Sequence, residues 1–469
     1  MNKGLLIGAA VVVAALAISP KYIGTEVEKS LQHNAVQISQ LPGYQLEVTT
    51  LEQSWFNTRA TLTLAMDITE MGAGEAETAL ELPEITIDLD INHGPLLFSG
   101  LGAVGVADWT ATVDGQELRE HLSWPAETPF YRIQGVTGLS GNSSFQDMFS
   151  AFEGKQTELL SSMSFSGYVG SGEITGDEIR YYGAADSLTL QSEKLNITSQ
   201  QLAVNLQAEA DFASMLRGEF YDSDTLFSLE KLNITNSQSA QPIILDGLKF
   251  RAQSQVNHEE ETGNIALDYR LATLTMPEFN ASDLQLAMDV SQISLDFLKA
   301  YQEFIRNLAA TDPQQLEQAT QAFMLDNLLM VLTPEPELNI TSLKGTLPQG
   351  DFNGYLNSKL VNIDSLPKNM ADKGFWIKHT LADAQVQMDK EVAEWLAARQ
   401  MLNQLKTSVP PQQWDQAQME QLARQQAPVM LENLSKQGML SQTEEGYQAV
   451  FSLKDGEANL NGTAIPLPM

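Results

Sequence analysis

The chain contains no cysteine and only five histidines in 469 residues. The absence of cysteine excludes disulfides, thiolate nucleophiles, cysteine-ligated iron–sulfur clusters and cysteine-based zinc sites. The histidines are widely separated in the sequence, so no two of them form a local metal-binding pair. We therefore expect no metal site and no cofactor.

Basic residues are scarce. There are 27 Lys and Arg residues against 60 Asp and Glu residues, which gives a formal net charge of -33. A field of this sign repels phosphate backbones, so nucleic acid is excluded as a partner. The simplest interpretation is a solubilising acidic surface, and the alternative is a surface that recruits a basic partner or a cation.

Long hydrophobic runs are absent after the first 23 residues. The uncharged run 4–18 follows Lys3 and closes at Ser19-Pro20-Lys21, the pattern of an export signal. This run fits a cleaved signal peptide, with Ala15-Leu16-Ala17 as a cleavage site. Extension to Ile23 instead gives a marginal membrane anchor, since a spanning helix needs about 17–25 residues. Both readings place the body of the protein outside the cytoplasm.

Alternation of apolar and polar residues dominates the region from 44 to 290. In 60–68 and 85–91, every second residue is apolar, which predicts strands with one dry face and one wetter face. Parallel strands buried on both faces would instead read as continuous apolar runs, so we predict antiparallel meanders. Near-copies at 194–199 and 231–236 fit successive hairpins of one long sheet.

Apolar residues at helical spacing interrupt the alternating pattern twice. Near the end of the chain, Asp455-Gly456 predicts a type I′ hairpin turn between strands 446–453 and 457–465. The predicted fold class is α+β and mostly β, a long twisted antiparallel sheet with two helical insertions and an N-terminal membrane helix. The predicted segments are a signal or anchor at 1–23, an antiparallel β-rich region at 24–290, helical insertions at 291–335 and 389–438, a return to strand at 336–388, and a closing β-hairpin at 439–469.

Two short clusters are candidate contact sites. Trp55 and Phe56 precede a strand, and we interpret them first as an aromatic plug of the core. His93, Gly94 and Pro95 follow an acidic strand, and we interpret them first as a tight turn, since Gly is flexible and Pro fixes its own φ. The functional alternative is that His93 contacts a ligand or a partner.

The sequence contains no recognisable catalytic constellation. It has neither a nucleophile elbow nor an H-E-x-x-H motif. Asp88 and Asp90 share one strand face and could bind a cation or divide acid and base roles as in a glycosidase. In a chain this acidic such pairs occur by chance, so we expect solvated charge, no catalytic residues and no enzyme activity.

The N-terminal apolar segment, Trp55-Phe56, the His93-Gly94-Pro95 turn and the terminal pattern from Asp455-Gly456 to Asn461-Gly462 together resemble the YdgA-like family of Gram-negative envelope proteins of unknown function. The resemblance covers essentially the whole chain. It implies a retained anchor in the inner membrane and a body in the periplasm. It defines no catalytic or binding residues.

The leading functional hypothesis is a non-enzymatic role in envelope maintenance, as a scaffold or as a carrier of an apolar ligand such as a lipid. The expected partners are the inner membrane, through residues 4–23, an apolar ligand, and a second copy of the chain. The first alternative is an oligomeric assembly or interaction factor. The second is a hydrolase that uses dispersed carboxylates and His93.

Overall fold

The computed structural model of the chain describes residues 25–39, 43–66, 84–97, 104–156, 161–211, 214–215, 217–236, 241–277, 279–308, 313–408 and 416–467. This part of the protein is mostly β, and its strand ladders are antiparallel. The prediction of a mostly-β antiparallel architecture is therefore confirmed. The predicted membrane segment, residues 4–23, lies outside the described residues. Among the described helices, none has the length and apolarity needed to cross a bilayer.

Strands and helices follow one another in this order. The elements before residue 240 are α1 (Thr25–Ser39), β1 (Tyr44–Gln53), β2 (Asn57–Met66), β3 (Ile85–His93), β4 (Ala107–Val113), a 3-10 helix (Gln116–Glu120), β5 (Leu122–Ser123), β6 (Tyr131–Thr137), β7 (Ser143–Phe149), β8 (Phe152–Gly154), β9 (Ser162–Phe165), β10 (Tyr168–Thr175), β11 (Glu178–Gln191), β12 (Leu195–Glu209) and β13 (Asp222–Asn236). The elements after residue 240 are β14 (Ile243–Asn257), β15 (Thr262–Met276), β16 (Phe279–Ser294), α2 (Leu295–Leu308), α3 (Pro313–Leu332), β17 (Glu337–Leu347), β18 (Gly350–Leu360), α4 (Lys373–Lys378), β19 (Thr380–Asp389), α5 (Lys390–Ser408), α6 (Gln416–Lys436), β20 (Ser441–Gln442), β21 (Gly446–Lys454), β22 (Glu457–Leu460) and β23 (Thr463–Ile465).

The chain divides into two compact units. One comprises the residues up to 240 together with 296–325, and the other comprises 241–295 together with 326–469. The predicted β-rich region 24–290 crosses this division, because strand periodicity continues past residue 240 without a change in pattern. The helix pairs α2–α3 and α5–α6 occupy the stretches in which the sequence predicted helical insertions.

The core of the first unit lies between α1 and the strands β1 to β7. Leu62, Ile87 and Trp109 lie within it, each at most 1% exposed. Leu31 and Ile38 of α1 cover them. The sequence predicted that 24–43 belongs to the β-rich region, and this prediction was wrong for the residues of α1. The helix was missed because it is short and mostly polar, with a single apolar stripe.

The long strands β11, β12 and β13 form a meander in the first unit. The near-copies of sequence at 194–199 and 231–236 lie on neighbouring strands, so that Ile197 is directly opposite Ile234. Leu202 and Leu229 make a further apolar cross-strand pair. The near-copies were predicted to lie on successive hairpins of one long sheet, and they lie instead on two neighbouring strands of one meander.

The C-terminal hairpin forms at the predicted turn, but its second strand is shorter than predicted. Asp455 and Gly456 both have positive φ, at 54° and 83°, as a type I′ turn requires. The second strand ends at Leu460, because Asn461 and Gly462 make another turn with positive φ. The prediction of a strand from 457 to 465 was therefore wrong, since Asn-Gly is itself a preferred hairpin turn pair.

Candidate functional site

The second unit presents a row of apolar side chains that runs straight across its sheet. We call it the central row. Direct cross-strand pairing links its members, which are Ala252, Leu267, Met288, Ile340, Leu356, Ala384, Phe451 and Leu460. The eight strands give the row a length of about 34 Å, at the usual spacing of about 4.8 Å between strands. None of the eight side chains is buried; each is of intermediate exposure.

Rows on either side of the central row extend the same apolar face. One neighbouring row contains Tyr269, Leu286, Leu343 and Val386, and the other contains Ile265, Val290 and Leu338. Some of these side chains are markedly open, with Leu338 48% and Tyr269 40% exposed. A contiguous apolar surface that stays accessible to solvent marks a binding surface more often than a packing accident.

The opposite face of the same strands is polar. On each strand, a residue next to the member of the central row points to this opposite face. Together these residues form a second row, which we call the polar row. Its members are Gln253, Ala266, Asp289, Asn339, Asn357, Asp383, Ser452 and Asn459. The side-chain amide of Asn339 donates to Asp289 at 3.0 Å, and that of Asn357 donates to Asp383 at 3.2 Å. Because side chains alternate along a strand, the sheet is sharply two-faced.

Charge on the polar face is paired close to the sheet. Arg270 contacts Asp268 with Nη2 2.6 Å from Oδ2. The hydrogen bond from Arg270, opposed by partial burial and assisted by Gln285, lowers the pKa of the Asp268 carboxyl. Ionised groups therefore remain on the solvated side of the sheet, and the apolar face is left free of them.

The helices α5 and α6 cover one end of the apolar face. Val392 of α5 is fully buried against Ala281 and Leu347. Ala397 of α5 packs with Tyr447 of β21. Tyr447 lies four residues before Phe451 of the central row. The face thus has one end packed under helices and a middle row of partly exposed side chains, an arrangement suited to a long apolar ligand.

A second cluster lies in the core of the first unit around Asp147, a carboxyl that is only 5% exposed. Tyr181 donates its hydroxyl to Asp147 Oδ1 at 3.0 Å, and Tyr131 donates to Oδ2 at 3.4 Å. Tyr168 Oη lies 2.5 Å from Tyr181 Oη and extends the chain of hydroxyls. Gly170 and Gly183 leave the space that these tyrosines fill, since a Cβ at Gly170 would overlap Tyr181 and one at Gly183 would overlap Tyr168.

Burial raises the pKa values of the ionisable groups in this cluster. It raises the pKa of Asp147 above 3.8, partly offset by the hydrogen bonds from Tyr181 and Tyr131. Burial and the Asp147 charge raise the pKa of Tyr131 and of Tyr181, and burial raises that of Tyr168 to about 12. The hydroxyls therefore remain protonated and act as donors. The cluster is a satisfied buried network that orders the core around a single carboxyl.

An open depression lies where β6, β7, β10 and β11 run side by side, and its rim is polar. Gln134, Gln146, Glu173 and Arg180 are among its lining residues. Glu173 is the sole carboxylate of that lining, and no histidine contributes to it. Paired acid and base groups that could serve hydrolysis are therefore not assembled in this depression.

The structure places Trp55 and Phe56 outside the core, at the turn between β1 and β2. Trp55 is 91% exposed and Phe56 is 74% exposed. Their interpretation as an aromatic core plug was wrong, because the strand alternation that buries Thr58 and Ala60 ends before the turn begins. Two large aromatic side chains in full contact with water are unusual for a turn.

The structure places His93 in the core and Gly94-Pro95 in a bend. His93 is 4% exposed, and its Nε2 lies 3.0 Å from Thr58 Oγ1. Burial lowers the pKa of His93, although the backbone of Trp55 acts in the opposite direction. Gly94 donates its N–H to the Val106 carbonyl oxygen at 2.7 Å, which continues the pairing of β3 with β4. This hydrogen bond does not close a tight turn, and the interpretation of the motif as one stays a prediction. That His93 contacts a ligand stays a prediction.

Asp88 and Asp90 point away from His93. Alternation along β3 places the two aspartates on the solvated face and His93 on the core face. Asp88 accepts from Thr61 at 3.0 Å, and Asp90 accepts from Arg59 at 3.1 Å. These two aspartates are thus on the opposite side of the sheet from His93.

Sequence reasoning missed both the central row and the Asp147 cluster. The alternation of individual strands, for example Leu284 to Val290, was visible, but the register that aligns eight strands was not. Asp147 occupies a core position of β7, flanked at i−2 and i+2 by Phe145 and Phe149. An aspartate in phase with two aromatic core residues was the signal that could have identified it.

The chain was compared with known proteins. A segment of 282 residues is 23% identical to Protein YdgA of Escherichia coli (strain K12), and it covers 56% of this chain and 55% of that protein. The chain thus spans about half the length of this curated relative. No solved structure matches the chain. The model of the family described as "Bacterial protein of unknown function (DUF945)" matches residues 1–468. The chain therefore belongs to this family of bacterial proteins.

Proposed function

We propose that this protein is a membrane-tethered periplasmic protein that holds the acyl chain of a lipid along the apolar face of its second unit. In this proposal its role in the envelope is non-enzymatic. The observation that carries it is the central row, eight paired apolar side chains that remain partly exposed, with a polar face on the other side of the same strands.

The hydrophobic effect favours the binding of an acyl chain to this face. Each Å² of apolar surface removed from water contributes roughly 25 cal/mol, so a few hundred Å² of the face is worth several kcal/mol. An acyl chain has no polar atoms to satisfy and can follow a row of side chains such as Leu267, Met288 and Ile340. The polar row, in contrast, offers amides and carboxylates that are already hydrogen-bonded to one another.

The tether is supported by the sequence of residues 1–23. A single lysine followed by the apolar run 4–18 is typical of an export signal, and extension to Ile23 brings it close to spanning length. An inner-membrane tether would keep the apolar face near a source of lipid. The location in the periplasm rests on this segment and on the resemblance to envelope proteins.

A photocrosslinker placed on either side of one strand tests the lipid site. Benzoylphenylalanine replaces Leu267 on the apolar face or Ala266 on the polar face, in the full chain produced in bacteria and irradiated in intact cells. We expect a lipid adduct, detected by mass spectrometry, at position 267 and none at position 266. These neighbouring positions have the same local strand structure and differ only in the face that they occupy.

Two results would contradict the proposal. Equal lipid labelling at 266 and 267 would indicate nonspecific contact. Crosslinking of position 267 to another polypeptide, with no lipid in native mass spectra of the gently extracted protein, would favour the assembly-factor alternative, in which a second copy of the chain covers the face.

A further inference from the structure

Three chain connections meet at one end of the sheet in the first unit. They are the β1–β2 turn at 54–56, the described ends of the β3–β4 connection at 94–97 and 104–106, and the β6–β7 turn at 138–142. The strands that they connect are adjacent in the order β1, β2, β3, β4, β6, β7. The cross-strand pairs Asn57–Asn92 and Ala107–Thr137 show that these strands begin or end at the same edge of the sheet. We call this end of the sheet the tip.

The tip displays large apolar side chains. Among the described residues of these connections, five large apolar side chains are more than half exposed, namely Trp55 (91%), Phe56 (74%), Leu139 (66%), Leu96 (62%) and Val104 (54%). All three connections contribute to this set. Exposed hydrophobic residues that are scattered singly need no explanation, but a cluster from three separate loops indicates a contact surface.

The tip also lacks charge, in a chain with a net charge of -33. No Asp, Glu, Lys or Arg occurs in 53–58, 91–107 or 136–146. The connections at the opposite end of the same strands are acidic, with six carboxylates in 67–84 and four in 114–130. At the tip end, the next turn along the sheet, Gly176-Asp177, already carries a charge and so limits the uncharged zone.

The helix α1 directs the preceding chain towards this end. Ser39, its last residue, is hydrogen-bonded to Leu46 near the start of β1, with the Leu46 N–H donated to Ser39 Oγ at 2.9 Å. Leu31, two turns earlier, still packs on the sheet. The helix therefore runs back along β1 and rises about 21 Å towards the end at which β1 finishes. Thr25, at which α1 begins, thus lies on the tip side of the sheet.

We propose that the tip docks onto the surface of the membrane to which residues 4–23 tether the protein. Trp and Phe are suited to the bilayer interface, where an aromatic ring can enter the headgroup region. An uncharged tip avoids repulsion from anionic lipids, which the rest of this acidic protein would experience. The tip would thereby orient the body instead of leaving it free on its tether.

The inference rests on the proposed tether, and the experiment separates the two. Since the chain has no cysteine, Leu139→Cys at the tip or Ala126→Cys at the opposite end provides a single site for the environment-sensitive fluorophore NBD. The labelled full chain is reconstituted into vesicles of phosphatidylethanolamine and phosphatidylglycerol. Doxyl-labelled lipids in the same vesicles quench a fluorophore that reaches the headgroup region.

We expect NBD at position 139 to emit at shorter wavelength and to be quenched, and NBD at position 126 to behave as in water. The further replacements Trp55→Ser and Phe56→Ser should reduce the quenching at 139 while the protein stays in the vesicles. Water-like emission at both positions from vesicle-bound protein would overturn the docking and leave the tether intact. Failure of the full chain to remain with the vesicles would overturn the tether, and the docking with it.

Discussion

At the residue scale, Gly94 occupies a position that only glycine fits. A Cβ there would overlap the carbonyl oxygen of Gly105 and crowd that of Val106. Both neighbours are backbone atoms of a hydrogen-bonded segment, since the Val106 carbonyl accepts from Gly94 and the Gly105 N–H donates to Pro95, so neither can move aside cheaply. The glycine thereby keeps the bend after His93 tight, and it holds the β3–β4 connection against the strand ends.

Gly94→Ala should lower the free energy of unfolding by about 1–3 kcal/mol or more, the usual cost of forcing extra atoms into a filled site. Urea denaturation of the two proteins measures the difference. Gly138→Ala serves as the matched control, because its Cβ would meet nothing nearer than 3.6 Å. A loss for Gly94→Ala no larger than that for Gly138→Ala would contradict the steric account.

Asp147 couples the stability of the first unit to pH. Burial raises its pKa in the folded protein above 3.8. For a carboxyl raised in this way, folding favours the protonated form. Its stabilising contribution is complete at pH values below 3.8 and is lost as the pH rises through the raised pKa.

Asp147→Asn removes this dependence, because an amide cannot ionise but can still accept from Tyr181. We expect the free energy of unfolding of the variant, relative to the parent, to increase as the pH is raised from acid to neutral. Urea denaturation at several pH values measures it, and the exposed turn variant Asp177→Asn is the control. A difference that does not change with pH would show that Asp147 ionises freely in the folded protein.

At the scale of elements, the two faces of the sheet in the second unit should differ in how they tolerate a charged substitution. Met288 lies in the central row, and its neighbour Ala287 points to the polar face. A carboxylate at position 288 would be desolvated by a bound acyl chain, whereas one at position 287 stays among polar side chains.

Met288→Glu should therefore reduce the lipid that co-purifies with the gently extracted protein by about tenfold or more, since an unpaired charge against an apolar ligand costs well over 1.4 kcal/mol. Ala287→Glu should leave it unchanged. Native mass spectrometry of both variants, with circular dichroism to confirm their fold, measures the effect. Equal lipid content in the two variants would count against an apolar-face site.

The elements differ in how well local patterns specify them. The turn at Asp455-Gly456 and the start of α3 at Pro313 follow from short-range chemistry, since one needs positive φ and the other a helix start that tolerates proline. The helix α1 could not be recognised in the same way. Its stability comes from the sheet beneath Leu31 and Ile38, which is a tertiary effect.

At the scale of the whole molecule, the N-terminal segment and the family resemblance predict a tethered body outside the cytoplasm. The lack of cysteine makes this directly testable, because a single introduced cysteine is the only thiol. Ala126→Cys should react with a membrane-impermeant maleimide in cells whose outer membrane has been permeabilised, and the protein should stay in the membrane fraction after carbonate extraction. Labelling only after lysis, or release by carbonate, would refute the periplasmic tether.

The candidate sites were less predictable than the fold. Trp55 and Phe56 were singled out as a cluster, but their exposure depends on where the core of the first unit ends, and no local sequence pattern indicates that. His93 was also singled out, yet its burial against Thr58 brings together residues 35 positions apart. Asp147 was not identified, because its place in a hydrogen-bonded cluster depends on the tyrosines that surround it in the folded protein.

The sequence by itself determined the alternation of strands, the turns at Gly and Asn, the helix pairs and the chemistries that cannot occur, because these depend on residue type and on neighbours within a few positions. Tertiary structure alone decided the register that aligns the central row, the burial of Asp147 and the gathering of three uncharged loops at the tip. Each of these depends on which distant strands pair, and cross-strand pairing joins residues that are far apart along the chain.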